Sequence, residues 1–185
     1  MALRIKFNSP VILGFAFVCT VIYIINSITA GALLPYFSVS HTINFSNPLS
    51  IATLFTHVLG HGSLEHLLGN MTFILLLGPI IEEKYGDFNT LAMIVVTALV
   101  TGLINILLFN TGLLGASGVV FMLILLVSFT NVQSGQIPVT FILVAILFIG
   151  KELISGIQAN NISETAHIIG GVCGSIFGFR GGKAY

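Results

Sequence analysis

The residues of this chain best suited to chemistry are one serine and a set of histidines in otherwise apolar sequence. Ser117 stands in Gly112-Leu113-Leu114-Gly115-Ala116-Ser117-Gly118-Val119-Val120, where a long apolar run begins. A serine in the first turn of a helix lies beside backbone N–H groups that have no intrahelical acceptor and beside the positive end of the helix dipole, so negative charge forming there is stabilised. Taken alone, the pattern favours a plainer use, because Gly, Ala and Ser let membrane helices pack closely. Its partners change the balance. His57, His61, His66, Asn70 and His167 are polar side chains in apolar surroundings. One such group is commonly an interhelical hydrogen bonder, whereas several at one depth point to a site. His66 and Asn70, four residues apart, share a helix face. His167, Gly170, Gly171 and Gly174 share another, bare except for the imidazole. That face can lie against Gly115-Ala-Ser117-Gly118 and bring His167 within the roughly 2.6–3.2 Å at which an imidazole takes a hydroxyl proton. Ser117 attacking a carbonyl would create an oxyanion, for which His66, Asn70 and the Ser117 N–H are suitable donors. No Asp or Glu falls in the pattern to orient His167, so the expected unit is a serine–histidine pair.

Such groups need a scaffold, and composition says the membrane is its solvent. Of 185 residues, 56% are hydrophobic and 6% charged, with a mean hydropathy of +1.08. A soluble domain carries about a quarter charged residues. The expected architecture is all-α, a polytopic six-transmembrane-helix bundle forming a single membrane domain over residues 1–185. Spans are expected near 10–30, 63–81, 89–109, 115–130, 137–154 and 165–179. Ser63 reads as a helix cap, and Pro138 sits at a tolerated first-turn position. Between the spans lie a polar loop at 31–50, a mixed segment at 51–62, a charged turn at 82–87, and polar connections at 131–136 and 155–164. The fourth span is short: roughly sixteen residues rise about 24 Å against a hydrocarbon core of about 30 Å. One end should therefore start below the surface, where irregular backbone must be buried in protein or line a wet cavity.

Arg4 and Lys6 precede the first apolar run, and Ala30-Gly31-Ala32 imitates a signal cleavage site. The run exceeds a signal core of roughly 7–15 residues, so a retained first helix is expected. Arg4, Lys6, Lys84, Arg180 and Lys183 fall on the terminal side of the bundle and Lys151 on the other. The positive-inside rule then makes both termini cytoplasmic, most simply in a cell membrane, with Ser117, His57, His61, His66, Asn70 and His167 toward the outer side. Cys19 and Cys173 sit in apolar helices and read as small buried hydrophobes. The formal net charge is zero with no basic run, which leaves nucleic-acid binding without an electrostatic footprint.

His61-Gly-Ser-Leu-Glu-His66-Leu-Leu-Gly-Asn70-Met71, Gly115-Ala-Ser117-Gly118 and Ala166-His167-Ile-Ile-Gly170-Gly-Val-Cys-Gly174 together resemble the rhomboid family of intramembrane serine proteases. Gly78-Pro-Ile-Ile-Glu82-Glu-Lys-Tyr-Gly86 resembles a structural motif of the same family, and the resemblance covers nearly the whole chain. It implies Ser117 as nucleophile and His167 as general base, with His66, Asn70 and the Ser117 N–H as an oxyanion hole that Gly115 helps to shape. It also implies that His61 is a structural histidine tethering a loop at the cavity rim, and that the reaction is cleavage of a peptide bond in or near a substrate's transmembrane segment. The fifth helix and the loop after it would be gate and cap. Phe121 stands where many members carry a tyrosine packed on the catalytic histidine, so the ring is kept and the hydroxyl lost. The first outer loop is short and lacks the Trp-Arg pair many members carry, the chain having no tryptophan. No added soluble domain is expected.

Substrates would be single-span membrane proteins with a locally unstable helix; membrane lipids are the other partners, and no cofactor or metal is expected. Two other readings compete. A metal site of His57, His61 and His66, the first two sharing a helix face, lacks both a His-Glu-x-x-His pattern and a completing acid. A non-proteolytic rhomboid-like protein that binds membrane helices, or a small transporter, could use the same bundle; loss of the serine or the histidine would have favoured it, and both are present.

Overall fold

The computed structural model describes residues 7–40, 42–44, 46–109, 111–128, 137, 139–157 and 164–181. Among these the chain is all-α, with seven helices. The first, α1 (Pro10–Ile28), starts with proline where a missing N–H costs nothing. A polar segment with one 3-10 turn at Leu34–Tyr36 leads to α2 (Pro48–Thr56), a nine-residue helix. Residues 48–50 belong to α2 and not to the expected loop, because the Asn47 side chain accepts the Leu49 N–H and Pro48 supplies the first helical residue. A 3-10 turn at His57–Leu59 ends this segment. Next come α3 (Leu64–Tyr85), α4 (Asp87–Leu108), α5 (Ser117–Val127), α6 (Val139–Ile157) and α7 (Glu164–Gly181). By length and apolarity α1, α3 and α4 can each cross a bilayer. Arg4, Lys6, Lys183, Pro138 and the expected turn at 131–136 lie outside the described residues, as does most of the 155–164 connection; α6 runs on through Ile157.

The centre of the bundle is α5, in which Val119, Val120, Met122, Leu123, Leu125 and Leu126 are all buried. It packs most extensively on α7, and also on α3 and α4. Its 11 residues rise only about 16 Å, roughly half a hydrocarbon core and less than the sequence suggested. The expected start at Gly115 moves to Ser117, because Gly115 takes a φ of 116° outside the helical region.

The charged turn expected at 82–87 is helix. Only Gly86, at φ 79°, separates α3 from α4. The cause is Glu82, which is buried because its carboxylate accepts the Val11 and Ile12 N–H groups, each at 2.9 Å. Ser9, at the N-cap of α1, makes no side-chain cap bond. Glu82 therefore caps α1 from another helix, placing a carboxylate at the positive end of its dipole. One turn away on the same face, Gly78 leaves room for Ile12, whose Cδ1 lies 2.5 Å from where a Cβ on Gly78 would be. One face of α3 thus takes both the backbone and the side chain of Ile12. Hydrogen bonds to a charged group contribute about 1.5–3 kcal/mol each. Glu82→Ala is expected to destabilise the protein by about 3 kcal/mol or more, and Glu82→Gln by less, since one acceptor oxygen remains. Thermal unfolding in detergent measures this, and a wild-type midpoint for Glu82→Ala would contradict the capping role.

Candidate active site

The loop carrying Gly115-Ala-Ser117 is held by the helix that precedes it and by two segments distant in sequence. The Asn105 amide of α4 donates to the Thr111 carbonyl at 2.8 Å. Leu113 and Val39 exchange both backbone bonds, Val39 N to Leu113 O at 2.8 Å and Leu113 N to Val39 O at 3.0 Å, as an isolated antiparallel bridge. Gly115 N donates to the His57 carbonyl at 2.9 Å. At Leu113 and Gly115 irregular backbone is thus buried with the Leu113 N–H and carbonyl and the Gly115 N–H all paired, the condition for tolerating it at membrane depth. Ser117 follows as the first residue of α5 and is half-buried.

Gly115 is required twice over. Its φ of 116° disfavours any side chain, and a Cβ there would lie 2.5 Å from Cε1 and 2.6 Å from Nε2 of His66. The imidazole of His66 therefore lies directly over the Gly115 α-carbon. Next to α5 comes α7. A Cβ on Gly170 would run into the Gly118 carbonyl, one on Gly174 into the Met122 carbonyl, and one on Gly118 would lie 3.3 Å from the Ala166 oxygen. Ala166, Gly170 and Gly174 are the surface on which the two backbones meet. Beside it, His167 stacks against Phe121 with ring centroids 4.4 Å apart and planes at 37°. Ser117, His66 and His167 are each half-buried, while Asn70 and His61 are buried.

His61 and Asn70 form a pair. The Asn70 Nδ2 lies 3.1 Å from His61 Nε2, and His61 Nδ1 lies 3.3 Å from the Leu59 carbonyl. The His61 and His66 rings meet edge-on at 5.0 Å. Burial, followed by the neighbouring His66, lowers the His61 pKa from 6.5 to about 4. The folded protein thus keeps His61 neutral where the unfolded chain would protonate it. The burial of His61 therefore costs no stability above pH 6.5 and costs more as pH falls through the window from 6.5 to about 4, where the unfolded state binds more protons. Near its lower end the loss is on the order of 3 kcal/mol, about 1.4 kcal/mol for each pKa unit. Unfolding midpoints between pH 7 and 4.5 should fall for the native protein and fall less for His61→Gln. Parallel curves would contradict this.

His57 and His61 do not share a helix face. The helix gives way to a 3-10 turn after Thr56, and His57 instead meets the Thr53 carbonyl at 3.2 Å and the Thr101 hydroxyl at 3.3 Å. Among the described residues no three His, Cys, Asp or Glu side chains gather to hold a metal ion. Cys19 and Cys173 are both buried and outside any disulfide. Thr101 also belongs to this region, its methyl lying 3.1 Å from a Cβ position on Gly118 while its hydroxyl meets His57. A signal was available: Thr97, Thr101 and Asn105 recur every four residues in an apolar helix, and all three are buried.

Residues 48–184 match the Rhomboid domain family. The chain is 28% identical over 131 residues to the rhomboid protease GlpG of Haemophilus influenzae, covering 69% of this chain and 68% of that protein. It is likewise 28% identical over 173 residues to the rhomboid proteases GlpG of Yersinia pestis and Yersinia pseudotuberculosis, covering 92% of this chain and 62% of theirs. The chain thus spans less than two thirds of the length of the Yersinia relatives.

Proposed function

The chain belongs to the rhomboid family and is an integral, multi-pass membrane protein, and from that premise we propose that it is an intramembrane serine protease with Ser117 as nucleophile and His167 as general base. The observation that carries this reading is the glycine contact between α5 and α7, which sets His167 next to the helix whose first residue is Ser117. The proteolytic names of its relatives support it.

In this mechanism the Ser117 hydroxyl attacks a substrate carbonyl while His167 accepts its proton. The carbonyl oxygen becomes an oxyanion, received by the His66 ring, the Asn70 amide and the Ser117 N–H; Gly115 leaves the space in which His66 can approach. His167 returns the proton to the leaving amine, and water then hydrolyses the acyl-enzyme by the same route in reverse. Phe121 holds the His167 ring by its face and contributes no hydroxyl.

The accompanying topology has six spans, α1 and α3 to α7, with α2 in the outer loop, both termini cytoplasmic and one domain over the 185 residues. Ser117 then lies below the outer surface, because α5 is too short to reach both faces. Substrates are membrane proteins whose transmembrane segment can unwind locally to offer an extended backbone. The protein reconstituted in liposomes with a fluorogenic single-span substrate is expected to cleave it in or near the span, at a rate unchanged by a strong chelator. Cleavage abolished by the chelator and restored by zinc would overturn the proposal. Binding of the helix without cleavage would favour the non-proteolytic reading.

A further inference from the structure

The pairing of His61 with Asn70 has chemical content beyond tethering a loop. The Leu59 carbonyl can only accept, so the His61 nitrogen facing it at 3.3 Å, Nδ1, carries the hydrogen. A neutral imidazole has one N–H, so Nε2 presents a lone pair. Facing that lone pair at 3.1 Å, Asn70 must offer its NH2 and not its carbonyl oxygen. His61 and Asn70 are only 1% and 7% exposed, which leaves little bulk water to substitute for either partner. Burial also keeps His61 neutral at ordinary pH, with a pKa near 4. The titratable neighbours are His66 on α3, edge-on at 5.0 Å, and Tyr23 of α1, which lines the crevice beside His61.

We propose that His61 is a positioning residue that fixes the orientation of the Asn70 carboxamide, one Nδ2 hydrogen held by His61 Nε2 and the other left as a donor for the oxyanion. This rests on the oxyanion role given to Asn70 above. A flipped amide would set its oxygen against the Nε2 lone pair and offer a developing anion a second negative oxygen. The Leu59 carbonyl therefore selects the donor through two successive hydrogen bonds, and the oxyanion donor is preorganised before substrate arrives.

His61→Leu removes the accepting lone pair and is expected to lower kcat about tenfold with KM unchanged, a loss in transition-state stabilisation alone. His61→Gln, whose side chain offers a donor to Leu59 and an acceptor to Asn70, is expected to recover most of it. In an Asn70→Ala background, His61→Leu should cost nothing further. Wild-type kcat in His61→Leu, or the same loss in both backgrounds, would overturn the proposal. If His61→Leu does not fold, His61→Gln decides: kcat near wild type supports it, and a loss equal to that of Asn70→Ala overturns it. Nitrogen-15 NMR of the histidine-labelled protein in micelles needs no turnover: a protonated Nδ1 and bare Nε2 on His61 at neutral pH are expected, and a protonated Nε2 would overturn the assignment. Cleavage that survives Ser117→Ala would defeat the protease reading, while the His61 tautomer would still decide how Asn70 is oriented.

Discussion

Ser117→Ala is expected to lower cleavage of a membrane-embedded substrate by at least about 10³-fold while leaving the unfolding midpoint within error of the native protein. The size follows from the role. Without a nucleophile, only binding and oxyanion donors remain, and these leave a small residual rate over water. The unchanged midpoint follows from the position: Ser117 is half-buried, and alanine is a good residue for a helical first turn. Initial rates in liposomes, alongside thermal unfolding of both proteins, test the two parts separately. Cleavage retained in Ser117→Ala would remove the catalytic assignment whatever its stability.

The second large effect should come from a residue with no chemistry of its own. Gly170→Ala would drive a methyl group into the Gly118 carbonyl, so two backbones would have to part. Neither neighbour is the yielding tip of a side chain. Overpacking at such a contact costs about 1–3 kcal/mol, and more where backbone must move. Because the same contact sets His167 beside α5, activity should fall further than stability alone accounts for, by at least about tenfold at a temperature where the variant is still folded. Gly14→Ala and Gly69→Ala provide the comparison. A Cβ at either meets nothing within 4 Å, and alanine in a helix interior is favoured over glycine by about 1 kcal/mol. If Gly170→Ala matches those two in midpoint and rate, α5 and α7 do not meet as described.

How much of this was legible in the sequence depended on whether the cause was local. The cap of α3 was legible: Ser63 accepts the His66 N–H at 3.1 Å and opens α3 where its type and place suggested. The glycine face of α7 was legible too, since a face without side chains is a periodic feature and permits close approach only if another backbone fills it. The bounds of α3 were not. Glu82-Glu83-Lys84 reads locally as a solvated turn, and only the arrival of the α1 N-terminus from about seventy residues earlier makes Glu82 a buried cap. The same holds for His57 and His61, four apart and so plausible as a helical pair. Their partners, Thr101 on one side and Leu59 with Asn70 on the other, follow from the packing of α4 and from the 3-10 turn. The shortness of α5 was legible only in part, because the glycine conformation that delays its start depends on a bond from Gly115 to His57.

The central claim, that Ser117 is a nucleophile activated by His167, is most directly tested by treating the native protein in micelles with a serine-directed fluorophosphonate and mapping the adduct by mass spectrometry. A single adduct on Ser117, lost in both Ser117→Ala and folded His167→Ala, is the predicted result. An adduct on another residue, or labelling of Ser117 at the native rate in His167→Ala, would contradict it.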